Sequence, residues 1–531
     1  MATTPTTDAS TRTTSPGLTL AAMVCVVAMT QIDMTIVSIA APDIQADLGL
    51  SVTGLQWMVT GYLVSLAALF ALGGRLADVV GHRTMVIVGS VVFVVASMAC
   101  GATPVSGIAE VWLVTARVIQ GAGAAFMFPA ALAVVLSSFP IERRGRAVAT
   151  FFAIAGGLTA LGPFVGAYLT EWTWRSIFFI NVPVFIAGLV LTLLARVDNR
   201  RVGQHVDWVG AALVVIGIGL SVTGLQQAST WGWSSPATIL CLVAGSVTLV
   251  GFVLFERTRS EPLLRIGYFT NRVFATQNAV LLVASAAFVP VFFFSSLYAQ
   301  VGLGWSPSNS GLYLLLFFAG FAPAVQVAGR LLDAGHARLT AVAGGVIGAV
   351  GFAVWAQRLT GLSENTQWPW ILVAGAGMGL IIGASSTDAV NQVPEDHFGE
   401  ATGITQTVRN YGASLGLALL GTLLATELRS HIEGEAASLG ISVEQADEVA
   451  DALHGSGGDP SEVFSQFGSN AGRVFDSARE GFAEAMAYPF WGMAACMVAV
   501  AVIALVGLPR RRPATSTPAP SSPAPSSPSA S

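Results

Sequence analysis

Two ionisable residues of opposite sign, Asp33 and Arg117, stand inside long apolar stretches of the chain. A charge at the centre of a membrane-spanning helix costs about 2.5–3.5 kcal/mol on insertion scales, so each needs a partner or a pathway to serve. Placed on the first and fourth apolar stretches, the two could face each other inside one helical bundle, as a static ion pair or as a working one. Asp388, near the inner end of the twelfth stretch, and Arg409, in the thirteenth, are the other candidate membrane charges. Asp388 could instead reach the interface beside Glu395 and Asp396. Gln31, Asn181, Gln277, Asn278, Tyr298 and Gln406 could line a polar cavity for a small molecule, or bond neighbouring helices.

A second group of residues repeats. Gly74-Arg75-Leu76-Ala77-Asp78-Val79-Val80-Gly81-His82-Arg83 is echoed by Gly329-Arg330-Leu331-Leu332-Asp333-Ala334-Gly335-His336-Ala337-Arg338. Both read Gly-Arg-Leu-x-Asp, then Gly-His, then Arg, as expected of a transporter built from repeated bundles. Glycine permits a tight turn between helices, Asp78 or Asp333 can meet a helix N-terminus or a cation, and Arg83 and Arg338 hold the loops in the cytoplasm. In the fifth stretch, Gly162, Pro163 and Gly166 remove one backbone donor and let another helix approach closely, which suits a hinge or plain packing. Gly412-Ala413-Ser414-Leu415-Gly416 matches a hydrolase nucleophile elbow, but it lies in an apolar helix with no strand before it and reads as a packing face.

The elements that carry these residues follow from composition. Of 531 residues, 53% are hydrophobic and 10% charged, against roughly 25% charged in soluble domains. The apolar residues fall into fourteen stretches, from 18–40 to 488–508, each long enough to cross a ~30 Å hydrocarbon core as a helix. Backbone polar groups in lipid must be satisfied internally, and 20-residue stretches do not suit barrel strands of ~10, so an all-α integral membrane protein is expected. All 25 basic residues are arginine. The absence of lysine removes the phosphate-loop lysine and any Schiff-base chemistry, which argues against ATP-driven transport and against an enzyme. Cys25, Cys100, Cys241 and Cys496 have no paired or metal-ligand spacing, the six histidines are scattered, and no basic aromatic stripe suggests nucleic acid. No cofactor and no metal are expected.

With the N-terminus inside, 18 arginines fall on the inner side and 5 on the outer, so both termini are expected in the cytoplasm. Eleven of the 12 tryptophans then lie at outer ends, where indoles favour the interface. The expected divisions are a disordered N-terminus at 1–17, a six-helix bundle at 18–200, an inserted pair at 201–260, and a second six-helix bundle at 261–508. That second bundle contains an outer loop, 426–486, with 12 acidic residues against 3 arginines and helix-compatible stretches at Val443 to Leu453 and Ala471 to Ala485. Residues 509–531 form a tail rich in proline and serine, too poor in apolar side chains to fold.

In this order and spacing the motifs resemble the major facilitator superfamily, and within it the fourteen-span drug:proton antiporter branch. Span 4 carries Leu113-x-x-x-Arg117-x-x-Gln120-Gly121-x-Gly123-Ala124-Ala125, span 5 carries Gly157-x-x-x-x-Gly162-Pro163-x-x-Gly166, and span 1 carries Asp33-Met34-Thr35-Ile36-Val37. Gln56-Trp57 with Tyr62, Trp174-Arg175 with Asn181, and Tyr298-x-Gln300 add to the likeness. Val79 and His82 depart from the family's basic positions, and Ala167 replaces a second glycine. The resemblance implies two six-helix bundles plus two inserted helices, proton coupling through Asp33 and Arg117, and a hinge at Gly162-Pro163. It also implies a monomer in the bacterial plasma membrane that exports small lipophilic compounds such as antibiotics or dyes against proton influx. With one central carboxylate, neutral or singly charged cargo is expected. A dedicated exporter of one metabolite or lipid, or a non-transporting sensor built on the outer loop, are the alternatives.

Overall fold

The computed structural model describes residues 15–197, 199, 206–259, 262–439, 441–454, 460–467 and 471–510, and every regular element among them is helical. Fourteen long helices are α1 (Pro16–Leu48), α2 (Val52–Val80), α3 (His82–Gly101), α4 (Ala109–Ser138), α5 (Ile141–Thr170), α6 (Ser176–Leu194), α7 (Trp208–Trp231), α8 (Pro236–Glu256), α9 (Arg272–Leu297), α10 (Pro307–Asp333), α11 (Ala337–Leu359), α12 (Glu364–Val390), α13 (Phe398–Leu439) and α14 (Ala471–Gly507). Thirteen are long and apolar enough to cross a membrane. The remaining one, α5, is 30 residues long, carries no charge from Ala147 to Thr170, and packs between α1 and α10. Residues 1–14 and 511–531, where most of the two expected disordered tails fall, lie outside the described residues.

Local sequence sets the helix starts. Side chains of Ser51, Asp207, Asn271 and Ser306 accept from the first free amides of α2, α7, α9 and α10, and proline occupies the first turn of α1, α8 and α10. Arginine does the converse at an inner C-terminus. Arg272 and Arg338, at the starts of α9 and α11, donate to the Val506 and Leu505 carbonyls of α14 at 2.5 and 2.6 Å.

The helices pack as one scheme used twice. In the first group α2 packs on α4, α3 on α4, α1 on α5 and α1 on α6; in the second α10 packs on α12, α11 on α12, α9 on α13 and α9 on α14. Adding eight to each number of the first set gives the second. The contacts between groups obey the same offset, since α2 meets α13 as α10 meets α5, and α4 meets α13 as α12 meets α5. Outside this repeat stand α7 and α8. α7 touches both α2 and α13, while α8 packs on α7 and turns most of its residues outward.

The acidic segment is helical at both stretches the sequence marked, Val443–His454 and from Ala471, and α13 extends into it to Leu439. α13 has 42 residues and α14 has 37; at ~1.5 Å per residue each is longer than a ~30 Å core requires. Both helices run on past the points where hydropathy falls. Loss of apolar character at residues 426 and 487 therefore marks the membrane surface, and alanine and glutamate carry the helix beyond it. A further helix, Val443–His454, buries Ala446, Val449 and Ala450 in a cluster that includes Ile432, Val474 and Ala478. His431 bridges the two long helices between Glu435 and Glu484.

If the acidic cap stands outside, a cysteine-free variant carrying Glu444→Cys is labelled by an impermeant maleimide on intact cells. Arg143→Cys, exposed in the first turn of α5, should react only in inverted vesicles. The opposite pattern would reverse the orientation.

Candidate functional site

Asp33 on α1 is fully buried, as are Arg117 (1% exposed) and Gln120 (0%) on α4. Residues 117 and 120 are three apart and share one helix face, so α4 presents both to the same point of α1. Arg117 Nη1 donates to Asp33 Oδ2 at 2.6 Å, Gln120 Nε2 donates to Asp33 Oδ1 at 2.8 Å, and Arg117 Nη1 also donates to Gln120 Oε1 at 2.7 Å. From α2, the Met58 carbonyl accepts from Arg117 Nε at 3.1 Å, and the Tyr62 ring lies 4.4 Å from the guanidinium carbon. Three helices thus hold one charge pair away from lipid. The redundancy matters chemically, because Arg117 keeps Gln120 and Met58 as acceptors if Asp33 becomes neutral. Taking a proton would therefore leave part of the arginine's hydrogen bonding in place, although its buried charge would then lack its counter-charge.

The opposite side of α1 grips α5. Gln31 Nε2 donates to Thr159 Oγ1 at 3.0 Å, and Thr35 Oγ1 donates to the Thr159 carbonyl at 3.1 Å. A Cβ on Gly162 would sit 1.9 Å from Thr35 Oγ1, so glycine is required for this approach. Gly166 accepts from Thr170 through its carbonyl; the side chain of Pro163 lies outside what is described. Asp33 and the Gly162 motif are therefore joined through about one turn of one helix, from Gln31 to Thr35.

At the arginine-rich end the repeated loops reach across the seam. Asp78, at the end of α2, accepts from the Gly399 and Glu400 amides at 2.8 and 2.7 Å, the first free donors of α13. Asp333, at the end of α10, accepts from the Gly145 amide at 2.8 Å and from the Arg146 amide and Nε at 3.3 and 3.2 Å, in the second turn of α5. Each carboxylate thereby sits at the positive end of a helix from the other group. Gly81 and Gly335 have φ of 112° and 81°, which explains the glycine in each turn. Backbone approach is equally close: a Cβ on Gly74 would meet the Gly399 carbonyl at 2.2 Å, and one on Gly329 the Gly145 carbonyl at 2.6 Å.

Further pairs close the same end. Arg75 lies 3.6 Å from Glu400, both buried, and Arg144 pairs with Glu395 beneath the Phe398 ring. His82 Nε2 is 2.9 Å from Asp78 Oδ1, so the unusual histidine joins the latch. Arg83 is half-buried and makes no ion pair among the described residues. Burial pushes the Tyr268 phenol up to about 12, so this neighbour of His397 adds no charge to the closure. Asp78, His397 and Glu400 have metal-ligand types within 4.8 Å, but both Asp78 oxygens already hold amides and Arg75 faces Glu400.

Several residues expected to line a cavity are committed elsewhere. Asn181 Nδ2 donates to Ser97 at 2.9 Å within the first group. The Tyr298 hydroxyl donates to the Leu359 carbonyl at 2.7 Å and accepts from Gln367 at 2.9 Å, at the end of the second group away from the repeated loops. Asp388 accepts from Gln277 at 2.6 Å and from Gln392 at 3.2 Å, and Asn278 donates to the Phe274 carbonyl; all are buried. Asp388 also lines a small cavity with Val273, Gly335 and Arg338, and Gln277 Oε1 and Asn278 Oδ1 are buried without a hydrogen-bond partner among the described residues. Gln406 and Arg409 do stand at the seam: Arg409 Nη1 donates to Gln406 at 2.8 Å, and its guanidinium carbon lies 5.2 Å from the Phe152 ring of α5. Sequence reading missed the roles of Glu400, Glu395 and Thr159, which no spacing rule ties to partners hundreds of residues away. The Gly412 and Gly416 pair packs on the Leu282 and Ala286 carbonyls of α9.

Comparison with known proteins agrees with this geometry. Residues 23–417 match the Major Facilitator Superfamily. The chain is 32% identical over 423 residues to the tetracenomycin C resistance and export protein of Streptomyces glaucescens, covering 78% of this chain and 77% of that one. It is also 32% identical over 410 residues to the multidrug resistance protein Stp of Mycobacterium tuberculosis, with 76% and 74% covered. Among solved structures, the proton:xylose symporter XylE superposes with a TM-score of 0.56 at 14% identity, over 92% of this chain and 94% of that one.

Asp78→Asn removes the charge from the α13 N-terminus, an interaction of up to ~2 kcal/mol, and should shift the balance toward opening of the seam at this end by roughly tenfold. Asp333→Asn should do the same through α5. The readout is maleimide reactivity of a single cysteine at Ala149; unchanged reactivity in both variants would dismiss the latch.

Proposed function

The chain belongs to the major facilitator superfamily, and on that premise we propose that it is a proton-coupled exporter of small lipophilic compounds that confers resistance on its host. The observation that carries this is the Asp33–Arg117–Gln120 cluster, a carboxylate sealed among α1, α2 and α4 whose arginine also has Gln120 and the Met58 carbonyl as acceptors. In the proposed cycle a proton from outside neutralises Asp33 and releases it from Arg117. Through Gln31 and Thr35, α1 then changes its hold on Thr159 and Gly162 of α5. α5 is the helix whose inner end is held by Asp333, so loosening it favours opening of the cytoplasmic seam and return for new cargo.

We assign residues 18–200 and 261–508 to the two halves that rock, and 201–260 to an inserted pair at their side. In that pair Gln226 of α7 donates to Ser414, and Trp233, in the turn between α7 and α8, donates to Thr422, which ties the pair to α13. A monomer in the bacterial plasma membrane, with both termini in the cytoplasm, suits an arrangement in which each half supplies one part of every closure. The named relatives include an exporter of one compound and a multidrug protein, and either breadth is compatible with this cycle.

Efflux of a panel of lipophilic dyes and antibiotics from cells tests the proposal. Asp33→Asn and a proton uncoupler should each reduce efflux at least tenfold, while the purified variant keeps its fold because Asn retains acceptors for Arg117 and Gln120. Efflux that survives both treatments would sink proton coupling through Asp33.

A further inference from the structure

Arg409 presents a charge problem that the proton cycle does not use. It lies on α13 well inside the membrane, half-buried, and makes no ion pair among the described residues. Its Nη1 donates to Gln406 at 2.8 Å, one face rests on Phe152 at 5.2 Å, and its Nε is buried without an acceptor. A guanidinium has five N–H donors, and a cation at this depth is retained only where a counter-charge or a pathway serves it. The membrane carboxylates are spoken for. Asp33 is closed in by Arg117 and Gln120, and Asp388 is held by Gln277 and Gln392 inside the second group.

The surroundings define what would supply that counter-charge. Phe152 and Gly156 are four apart on α5 and share one face. A Cβ on Gly156 would meet Phe318 at 2.5 Å, so the phenylalanines of α9 and α10 begin one turn from the arginine on the same seam. Phe292 stacks on Phe318 with ring centroids 5.4 Å apart, and Phe288 lies 5.5 Å from Phe321. Phe288 and Phe292 are only half-buried, so ring surface remains open. One cation beside a wall of aromatic faces matches a flat apolar body carrying one negative charge.

We propose that Arg409 recognises the anionic group of the exported compound and that Phe288 and Phe292, backed by the buried Phe318 and Phe321, receive its flat apolar body, so that the preferred cargo is a monoanionic aromatic molecule. This narrows the expectation of neutral or singly charged cargo to one sign, and it rests on the exporter reading above.

Equilibrium binding separates the two ideas, since it needs no proton gradient. The full chain in lipid nanodiscs would be titrated with three probes that share one ring system: pyrenebutyrate (anionic), its methyl ester (neutral), and a pyrenebutyl trimethylammonium (cationic). Pyrenebutyrate should bind at least tenfold more tightly than the ammonium. Arg409→Gln should abolish that difference while leaving ester binding within about twofold, and Arg409→Lys should keep part of it. Should Arg409→Gln fail to fold, the wild-type ranking and the lysine variant still decide. Equal affinity for anion and cation, a preference for the cation, no saturable binding of any probe, or selectivity unchanged in Arg409→Gln would overturn the proposal. Anion-selective binding without proton-driven flux of any probe would instead count against the exporter reading alone.

Discussion

A charge inside a bilayer must find its compensation within the protein, and much of this structure is organised by that requirement. Asp33 and Arg117 are neutralised as a pair, yet neither depends wholly on the other. Gln120 and the Met58 carbonyl share the donors and acceptors, and the Tyr62 ring covers one face of the guanidinium. A pair held only by mutual attraction would be locked, because removing either charge would leave the other buried and unpaired. Distributing the bonds lets the proposed protonation proceed without unfolding the site.

The same requirement acts on backbone dipoles at the arginine-rich seam. Helix N-termini expose amides that water would otherwise satisfy, and here carboxylates from the opposite group reach them. Asp78 on α13 and Asp333 on α5 are related by the eight-helix offset that relates all the packing. Closure is therefore built from two similar half-strength contacts.

What was legible in the sequence follows from which constraints are local. Hydropathy fixed the membrane helices because burial in lipid acts residue by residue, and arginine sidedness suggested which end would hold the latch. The motif glycines were readable because Gly81 and Gly335 need positive φ. Hydropathy could not show that α13 and α14 continue beyond the membrane surface, since it reports solvent and not helicity. Nor could polar composition separate Asn181 and Tyr298, which bond within their own groups, from Arg409, which stands at the seam. That distinction depends on which helix face meets which neighbour across a long sequence separation.

The two buried charge systems sit in different halves, and this separation bears on mechanism. If one carboxylate served both the proton and a cationic cargo, the two would compete for it directly, and exchange would follow from simple exclusion. Here Asp33 is sealed behind Arg117 and Gln120 in the first group, while the uncompensated charge, Arg409, belongs to the second. Exchange between proton and cargo must then pass through the helices that connect the sites. α5 is placed to do this, since one helix carries Thr159 and Gly162 against α1, Phe152 beneath Arg409, and Gly145 on Asp333. A shift of this helix at one of the three points would be felt at the others, so the proposed coupling would be mechanical and would not require the proton and the cargo to meet.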